Sequence, residues 1–459
     1  MKNYMMGAAV AFCSLLPASH SFAWIGSVLV STPNTSLLLH ANEGEDLRFA
    51  YFGDRIEENQ IHQIHDAWDG LNRTAYPTFG SPANQLFALQ AVHADGNWTT
   101  DLTVDQVETT DAGNARQTVI TLKDRMYPFT VKLYYKAYND IDMIETWSEI
   151  SHTEKKNVIL KRFDSGHFMI RRGDVWISHL HGSWGDEAGV TTEPLTPGIK
   201  LIENVDGARN AHIDHPEVMF SLDGKPQENE GRVIGAALCW SGNYAIRMAT
   251  DNNFVHRIFA GIDSETAEYN LAPKEVFATP KLALTYSQEG LSGASRNFHR
   301  WARHAGMLCH GDRVRDILLN SWEGVYLDVD EEKMSQMMED IAAMGGELFV
   351  MDDGWFGDKY RRVQDNSSLG DWVVDKKKLP NGLENLVQTA QKNGIKFGIW
   401  IEPEAVNSKS ELFEKHPEWA LQAPDRPLIY GRGGTQLLLD VCNPEVQDFV
   451  FGVVDGLMT

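Results

Sequence analysis

Basic residues are scarce in this sequence. Its 459 residues include 41 Lys and Arg against 64 Asp and Glu, which gives a formal net charge of −23 at pH 7. Nucleic acid phosphates and anionic membrane surfaces both attract Lys and Arg and repel a chain of this charge. The composition therefore argues against a nucleic-acid partner and favours a soluble protein with a neutral or cationic partner.

Cysteines are few, and long apolar runs are missing beyond the first residues. The four cysteines are Cys13, Cys239, Cys309 and Cys442, and no Cys or His pair has the spacing of a metal site. We therefore expect no disulfide framework, no metal and no other cofactor. No apolar stretch after the N-terminal segment reaches the length of a membrane span.

The first 23 residues have the order of a signal peptide. "MKNYMMGAAVAFCSLLPASHSFA" begins with a basic Lys2, continues through an apolar stretch from Met5 to Pro17, and ends in small residues. Ser21 and Ala23 occupy the −3 and −1 positions of a cut before Trp24. The pattern predicts export to the periplasm or the cell exterior, the alternative being a buried first strand.

Residues 24–312 are predicted to form an N-terminal antiparallel β-sandwich domain. "FTVKLYYKAYNDIDMIETWSEI" alternates apolar and polar residues on both sides of "YND", which is typical of a hairpin. "NVILKRFDSGHFMI" and "RVIGAALCWSGNYAIRMAT" have similar patterns, with Gly, Asn and Asp at the breaks. A long series of short strands favours a large sandwich.

The pattern changes to alternating strands and helices over residues 313–459. "DEEKMSQMMEDIAAMGG" places Met334, Met337, Met338 and Ile341 at helical spacing, and "NGLENLVQTAQKNG" predicts a second helix with an apolar face at Leu383, Leu386, Val387 and Ala390. "ELFVMDDGWFG" and "IKFGIWIEPEAV" contain short apolar runs that predict buried strands. This alternation predicts a parallel sheet, either open or closed as a barrel, so the fold class is multidomain β plus α/β.

Polar and aromatic residues follow several of these predicted strands. In α/β folds the active site lies just past the carboxyl ends of the strands. One polar strand end is ordinary helix capping, but repeated Trp, Asp and Glu at successive ends predict a site. These residues are Trp322, Asp352, Asp353, Trp400, Glu402, Glu404 and Asp440.

Asp352 and Asp353 are adjacent, and this decides what they can do together. Neighbouring strand residues point to opposite sides, so the two carboxylates cannot act as a cooperating acid and base unless the strand has already ended. A retaining glycosidase needs carboxyls about 5–5.5 Å apart on opposite sides of the scissile bond. Two carboxylates at one strand tip are better suited to accept hydrogen bonds from neighbouring sugar hydroxyls.

The segments "LFVMDDGWFGDKYRRVQDNSSLGDWVVDKKKLPNGLENLVQTAQKNGIKFGIWIEPEAV" and "GRGGTQLLLDVCNPEV" resemble the bacterial α-galactosidases of glycoside hydrolase family 36. Shorter matches upstream, such as "YFGDRI", "AYPTFG" and "HGSWGDE", extend the likeness over nearly the whole chain. The resemblance implies an N-terminal β-sandwich, a (β/α)8 TIM barrel, of which residues 313–459 would form the first part, and a C-terminal β-domain. It also implies a retaining mechanism on terminal α-galactosides such as melibiose and raffinose, no metal, and assembly as a homo-oligomer.

The resemblance assigns roles to five residues. Asp352 and Asp353 resemble the pair that holds galactose hydroxyls, Trp322 and Trp400 resemble aromatic pocket walls, and Arg432 in "GRGGTQ" resembles the pocket arginine. The structural alternatives are core packing for each Trp and a surface salt bridge for Arg432.

Two departures from the family pattern affect the expected chemistry. After "AYPTFG" the family has an aspartate that reaches a sugar, whereas this sequence offers Asn84. The family's nucleophile lies in a "KWD" motif that this sequence does not contain, and its acid/base aspartate follows much later. We therefore expect a chain with substrate-binding residues but no catalytic residue, as a truncated product, a split gene or an incomplete record.

Three other interpretations stay open at the sequence level. Glu402 or Glu404 of "IEPE" could pair with Asp352 as an acid and base on neighbouring strand tips. The chain could instead be a non-catalytic galactoside-binding or relic protein. It could also be a relative with a changed reaction, an α-N-acetylgalactosaminidase or a galactosyltransferase.

Overall fold

The computed structural model describes residues 26–64, 73–81, 86–171, 173–209, 212–305 and 309–459. The predicted leader with Cys13, and also Asn84, lie outside the described residues. The chain forms two compact units that divide between Asp312 and Arg313.

The first unit consists mainly of strands. They are β1 (Ser27–Ser31), β2 (Thr35–His40), β3 (Arg48–Asp54), β4 (Leu89–Val92), β5 (Leu102–Asp111), β6 (Ala115–Asp124), β7 (Phe129–Tyr138), β8 (Met143–His152), β9 (Val158–Ile170), β10 (Trp176–Ser183), β11 (Asp186–Pro194), β12 (Gly198–Asn204), β13 (Asp214–Ser221), β14 (Val233–Leu238), β15 (Tyr244–Thr250), β16 (His256–Ile262), β17 (Tyr269–Leu271), β18 (Val276–Ala278) and β19 (Leu282–Ser287). The helices are α1 (Ile61–Ile64) and α2 (Gly290–His304), and a 3₁₀ turn covers Glu58–Gln60.

Two antiparallel sheets form the sandwich. The larger has the order β11-β10-β13-β14-β19-β8-β7-β6-β5 with β18 paired to β8, and the smaller has the order β12-β15-β16-β9-β17 with β4 paired to β9. β1, β2 and β3 form a separate sheet. Val131 and Leu133 of the larger sheet and Ile246 and Ile258 of the smaller one belong to one buried apolar cluster. The core of the unit therefore lies between the two sheets.

The predicted hairpin around "YND" is present. β7 and β8 pair antiparallel from Phe129 opposite His152 to Ala137 opposite Ile144. Buried and partly exposed residues alternate along β7, because one face of the strand contacts the core and the other faces outward.

Helix α2 was not predicted by the sequence pattern. Its buried face contains Gly293, Ala294, Asn297 and Trp301, and the indole of Trp301 donates to Glu145 at 2.9 Å. The exposed side carries Arg296, Arg300 and Arg303, so the helix is amphipathic, but its buried side consists mainly of small residues and not of the large apolar ones that the pattern predicts from.

The second unit alternates strands and helices. Its strands are β20 (Leu318–Asn320), β21 (Leu348–Met351), β22 (Lys396–Ile399), β23 (Ala405–Asn407) and β24 (Gln436–Leu438). Its helices are α3 (Trp322–Val325), α4 (Glu331–Ala343), α5 (Gly382–Lys392), α6 (Glu411–Lys415) and α7 (Pro444–Met458), with 3₁₀ turns at Pro417–Trp419 and Arg432–Gly434.

β20, β21 and β22 form a parallel sheet in chain order, as the alternation predicts. α4 begins after Asp330, whose side chain accepts the backbone N–H of Lys333, and buries Met334 and Met338 completely. α5 buries Leu386 and Ala390, whereas Val387 is 36% exposed, so the prediction that Val387 faces the core is wrong. β22 is only half-buried and not the predicted buried strand, because it lies at the edge of this sheet.

The described cysteines are all unpaired. Cys239 is half-buried in the first unit, while Cys309 and Cys442 are exposed. Burial raises the pKa of the Cys239 thiol to about 11. In the described residues, the sandwich and the parallel sheet are therefore held together by apolar burial and hydrogen bonds.

Candidate functional site

The candidate site lies at the carboxyl ends of β20, β21 and β22. These strands run parallel, so the residues that follow them meet at one edge of the sheet. Ser321 follows β20, Asp352 follows β21 and Trp400 follows β22. The backbone N–H of Asp352 donates to the Ser321 hydroxyl at 3.0 Å, which connects the first two strand ends.

Asn320 joins Asp352 to Trp322. Its amide nitrogen donates to Asp352 Oδ2 at 2.6 Å, and its amide oxygen accepts the backbone N–H of Trp322 at 2.7 Å. Asp352 and Trp322 are both half-buried, so their side chains remain accessible to a ligand. Asn320 was missed by the sequence analysis, although its place at the end of a strand is the same signal that identified Asp352.

Asp353 points to a different partner. β21 ends at Met351, so the strand alternation no longer applies to these two residues. The Asp353 carboxylate is buried and accepts hydrogen bonds from Arg362 Nε at 2.9 Å and Arg362 Nη2 at 2.7 Å. The two adjacent carboxylates are thus held apart by separate partners and do not form an acid–base pair.

The turn that places these carboxylates requires a glycine. Gly354 has a φ of 109°, and a Cβ atom there would lie 2.9 Å from the carbonyl oxygen of Leu327. A side chain at this position would be both strained and too close to its neighbour. This explains why "DDG" follows the strand.

Trp400 belongs to an aromatic group formed with Trp355, Phe356 and Trp372. Its ring centroid lies 6.5 Å from that of Phe356 and 6.2 Å from that of Trp372, and its backbone carbonyl accepts the indole N–H of Trp355 at 3.0 Å. Trp355 and Phe356 are fully buried, whereas Trp400 is half-buried. The group fixes one side of the Trp400 ring by packing and leaves part of it exposed.

Glu402 and Arg432 lie on the β22 side of the site. The amide of Gln436 donates to Glu402 Oε1, and burial, reinforced by the charge of Glu404, raises the pKa of the Glu402 carboxyl. Glu404 is exposed, and the hydrogen bond of Glu402 is to Gln436 and not to Asp352. The arrangement gives no support to an acid–base pair between Glu402 and Asp352.

Arg432 is exposed and forms an ion pair with Asp365, with 3.6 Å between Nη2 and Oδ2. The surface salt bridge that was the structural alternative for Arg432 is therefore present. Asp440 caps a turn by accepting the backbone N–H of Cys442 at 3.1 Å, which agrees with an ordinary structural role.

Two buried cations behind the site were not found from the sequence. Arg362 is held by Asp353, and Lys378 donates to the carbonyls of Leu327 and Gly354, each at 2.7 Å. Burial lowers the pKa of the Lys378 ammonium. Both residues stand in runs of like charge, "RR" and "KKK", which ordinarily indicate a solvated surface, so the sequence offered no signal for their burial.

Within the described part of the chain, no group of three or more His, Cys, Asp or Glu side chains could hold a metal ion. Its helices also include none that is long and apolar enough to cross a membrane.

Comparison with known proteins decides the family. The glycosyl hydrolase family 36 N-terminal domain profile matches residues 45–272, and the Melibiase profile matches residues 276–459. The chain belongs to glycoside hydrolase family 36. Both units of this family 36 chain are covered by these matches.

Two curated relatives illustrate the likeness of this family 36 chain. Alpha-galactosidase AgaA of Geobacillus stearothermophilus is 36% identical over 74% of the chain and 46% of its own length. Alpha-galactosidase Mel36A of Lactobacillus acidophilus is 32% identical over 75% of the chain and 46% of its own length. The chain spans about half the length of the curated relatives it matches.

Solved structures support the fold of the family 36 chain. The crystal structure of AgaA from Geobacillus stearothermophilus superposes with a TM-score of 0.88 and 28% identity, covering 94% of this chain and 64% of that one. An AgaA variant in complex with raffinose superposes with a TM-score of 0.87 and 29% identity, again over 94% and 64%. The predicted architecture, an antiparallel sandwich followed by part of a barrel, is confirmed.

Proposed function

We propose that this chain binds the terminal α-galactosyl residue of oligosaccharides such as melibiose and raffinose, as the recognition part of a retaining α-galactosidase. The observation that carries the proposal is the group of half-buried polar and aromatic side chains at neighbouring strand ends, Asp352, Trp322 and Trp400. The relatives' names and the raffinose complex of the AgaA variant support the same substrate class.

The chemistry of a galactose ring matches this group. The ring has one apolar face, which packs against the accessible part of an indole. Its hydroxyls donate to carboxylates, and Asp352 keeps acceptor sites beyond the bonds that it accepts from Asn320 and from the backbone N–H of Asp353. Asp353 and Arg432 complete the proposed set of contacts, the first through its remaining acceptor site and the second through its exposed guanidinium.

The test is galactoside binding by the 459-residue chain. We expect methyl α-D-galactopyranoside to bind, and Asp352→Asn to weaken it about 10- to 100-fold, because a charged hydrogen-bond acceptor contributes about 1.5–3 kcal/mol. Asp358→Asn is the matched control, since Asp358 is an exposed aspartate in the same segment. Titration calorimetry measures both dissociation constants.

Three results would contradict parts of the proposal. Equal affinities for the two variants would remove Asp352 from the site. Preference for methyl α-N-acetylgalactosaminide would change the substrate class. Release of galactose from melibiose by the same sample, abolished in Asp352→Asn, would contradict the expectation that this chain binds without turnover.

We also propose that the protein is exported and self-associates. Export is supported by the order of residues 1–23 and is tested by sequencing the N-terminus of secreted protein, which should begin at Trp24. Self-association is supported by exposed apolar side chains around β10 and β11, with Trp184 83%, Val190 69% and Ile213 62% exposed. Sedimentation of Trp184→Ser against the unmodified chain tests it.

A further inference from the structure

Arg362 is a charged side chain in an interior position. Its side chain is 2% exposed, and that of its partner Asp353 is 6% exposed. Nε lies 2.9 Å from Asp353 Oδ1 and 3.2 Å from Oδ2, while Nη2 lies 2.7 Å from Oδ2. Both oxygens of the Asp353 carboxylate therefore accept hydrogen bonds from the guanidinium, which fixes the orientation of the carboxylate.

The other donors of the guanidinium are also used. Nη1 donates to the carbonyl of Ser367 at 2.9 Å and to Asn407 Oδ1 at 3.3 Å, and Nη2 donates to Asp365 Oδ1 at 3.2 Å. Asn407 is itself fully buried and accepts the backbone N–H of Leu369 at 3.0 Å. Arg362 therefore has one allowed orientation, which its neighbours set.

Asp365 extends this arrangement to the exposed arginine of the site. One of its carboxylate oxygens accepts from Arg362, and the other lies 3.6 Å from Arg432 Nη2. Asp353, Arg362, Asp365 and Arg432 thus form a continuous series of alternating charges. Its first and last members are two of the proposed galactoside contacts.

We propose that Arg362 is a positioning residue for galactoside binding, which sets the carboxylate of Asp353 directly and the guanidinium of Arg432 through Asp365. This inference rests on the proposed function and deepens it. Arg362 occupies most of the acceptor sites of Asp353, so Asp353 accepts one sugar hydroxyl in a fixed direction. Only an arginine can do this, because a lysine ammonium lacks the planar set of donors that spans two carboxylates.

The first test replaces Arg362 while keeping its charge. We expect Arg362→Lys to weaken binding of methyl α-D-galactopyranoside about 10- to 50-fold, because the paired hydrogen bonds from Nε and Nη2 to Asp353 are lost. Arg361→Lys is the matched control, since Arg361 is the preceding residue and pairs with Asp375 at 2.7 Å. We expect less than about a 2-fold change for the control, because Arg361 lies outside the series of charges.

A thermodynamic cycle separates positioning from a merely structural role. If Arg362 acts through Asp353, Arg362→Lys in an Asp353→Asn chain should change the dissociation constant less than about 3-fold. Additive losses from the two substitutions would overturn the proposal.

A second variant substitutes an exposed residue, Asp365, and tests the proposal even if Arg362→Lys does not fold. Asp365 is 49% exposed, so Asp365→Asn should fold. We expect it to weaken binding about 3-fold, the size of a surface ion pair, and to have no effect in an Arg432→Gln chain. If Asp365→Asn weakens binding equally with and without Arg432→Gln, Asp365 does not act through Arg432, and that part of the proposal is overturned.

The outcomes distinguish this inference from the proposed function. If the unmodified chain does not bind the galactoside, both are wrong. If it binds and both Arg362→Lys and Asp365→Asn bind equally well, the proposed function stands and the positioning role is overturned.

Discussion

Lys378→Met should lower the free energy of unfolding of the second unit by about 3–4 kcal/mol, because each buried carbonyl left without a donor costs about 1–3 kcal/mol. Lys378 is 8% exposed, and its ammonium donates to the carbonyls of Leu327, Gly354 and Arg362 at 2.7, 2.7 and 2.9 Å. Methionine has a similar length but no donor, so the three acceptors would remain buried and unpaired.

The loss should extend to the site. The carbonyls of Gly354 and Arg362 belong to the segment that carries Asp353 and its partner, so removal of the ammonium frees that segment at two points. We expect faster amide hydrogen exchange over residues 352–363 in Lys378→Met, in addition to the lower midpoint of urea unfolding.

The sequence supplies its own control in "DKKKL". Lys376 and Lys377 are exposed, whereas Lys378 is buried. Lys377→Met removes the same charge from the neighbouring position, and we expect little change in stability because surface substitutions rarely matter. Equal unfolding midpoints for the two variants would show that the three carbonyls do not depend on Lys378.

Arg247→Met should destabilise the sandwich by about 3–5 kcal/mol at neutral pH, because it leaves a buried carboxylate without its partner. Asp164 is fully buried, and Nη2 of Arg247 donates to both of its oxygens. Arg162 also acts on the charge of Asp164, but its side chain bonds Ser264 instead. The carboxylate would therefore remain underpaired in the interior.

The pH dependence of this loss has a defined sign. Burial raises the pKa of Asp164, so between the unfolded and folded pKa values the folded chain holds a proton that the unfolded chain has lost. Stability consequently falls as the pH rises through that interval. Arg247 lowers the pKa of Asp164 in the folded chain, so its removal extends this interval to higher pH. The destabilisation by Arg247→Met should therefore be smaller at pH 5, where Asp164 is more readily protonated, than at pH 8.

Urea unfolding at the two pH values, with hydrogen exchange on β9 and β15 to assign the loss to the first unit, measures this effect. Arg232→Met is the control, because Arg232 pairs with Asp223 at an exposed position, where an ion pair contributes about 0–1 kcal/mol. A pH-independent loss would show that packing, and not the charge of Asp164, is responsible.

The sequence predicted the elements whose faces differ strongly in polarity. The alternation in "FTVKLYYKAY" is specific to a strand with one buried face, and the spacing of Met334 and Met338 is specific to a helix with one buried face. α2 was missed although Arg296, Arg300 and Arg303 lie on its exposed face, because its buried face holds Gly293, Ala294 and Asn297 and not large apolar residues such as those of α4. A pattern of large apolar side chains alone overlooks such a helix, even where its opposite face is charged.

The candidate site was predictable only at its surface. Asp352 and Trp400 could be found because residues after parallel strands converge. Arg362 and Lys378 could not, since a buried cation and a solvated one look alike in a sequence and differ only in what the fold brings around them. The partners of Arg362 come from separate segments, at Asp353, Ser367 and Asn407, which only the tertiary structure joins.

The unpaired cysteines make the protein convenient for optical measurement. Thiol-reactive dyes attack the thiolate, so the half-buried Cys239, with its pKa raised to about 11, should stay unlabelled at neutral pH. Cys309 in the first unit and Cys442 in the second are exposed. Once Cys13 has been removed or replaced, a donor and an acceptor dye attached to these two thiols would report, by energy transfer, whether a galactoside changes the separation of the units.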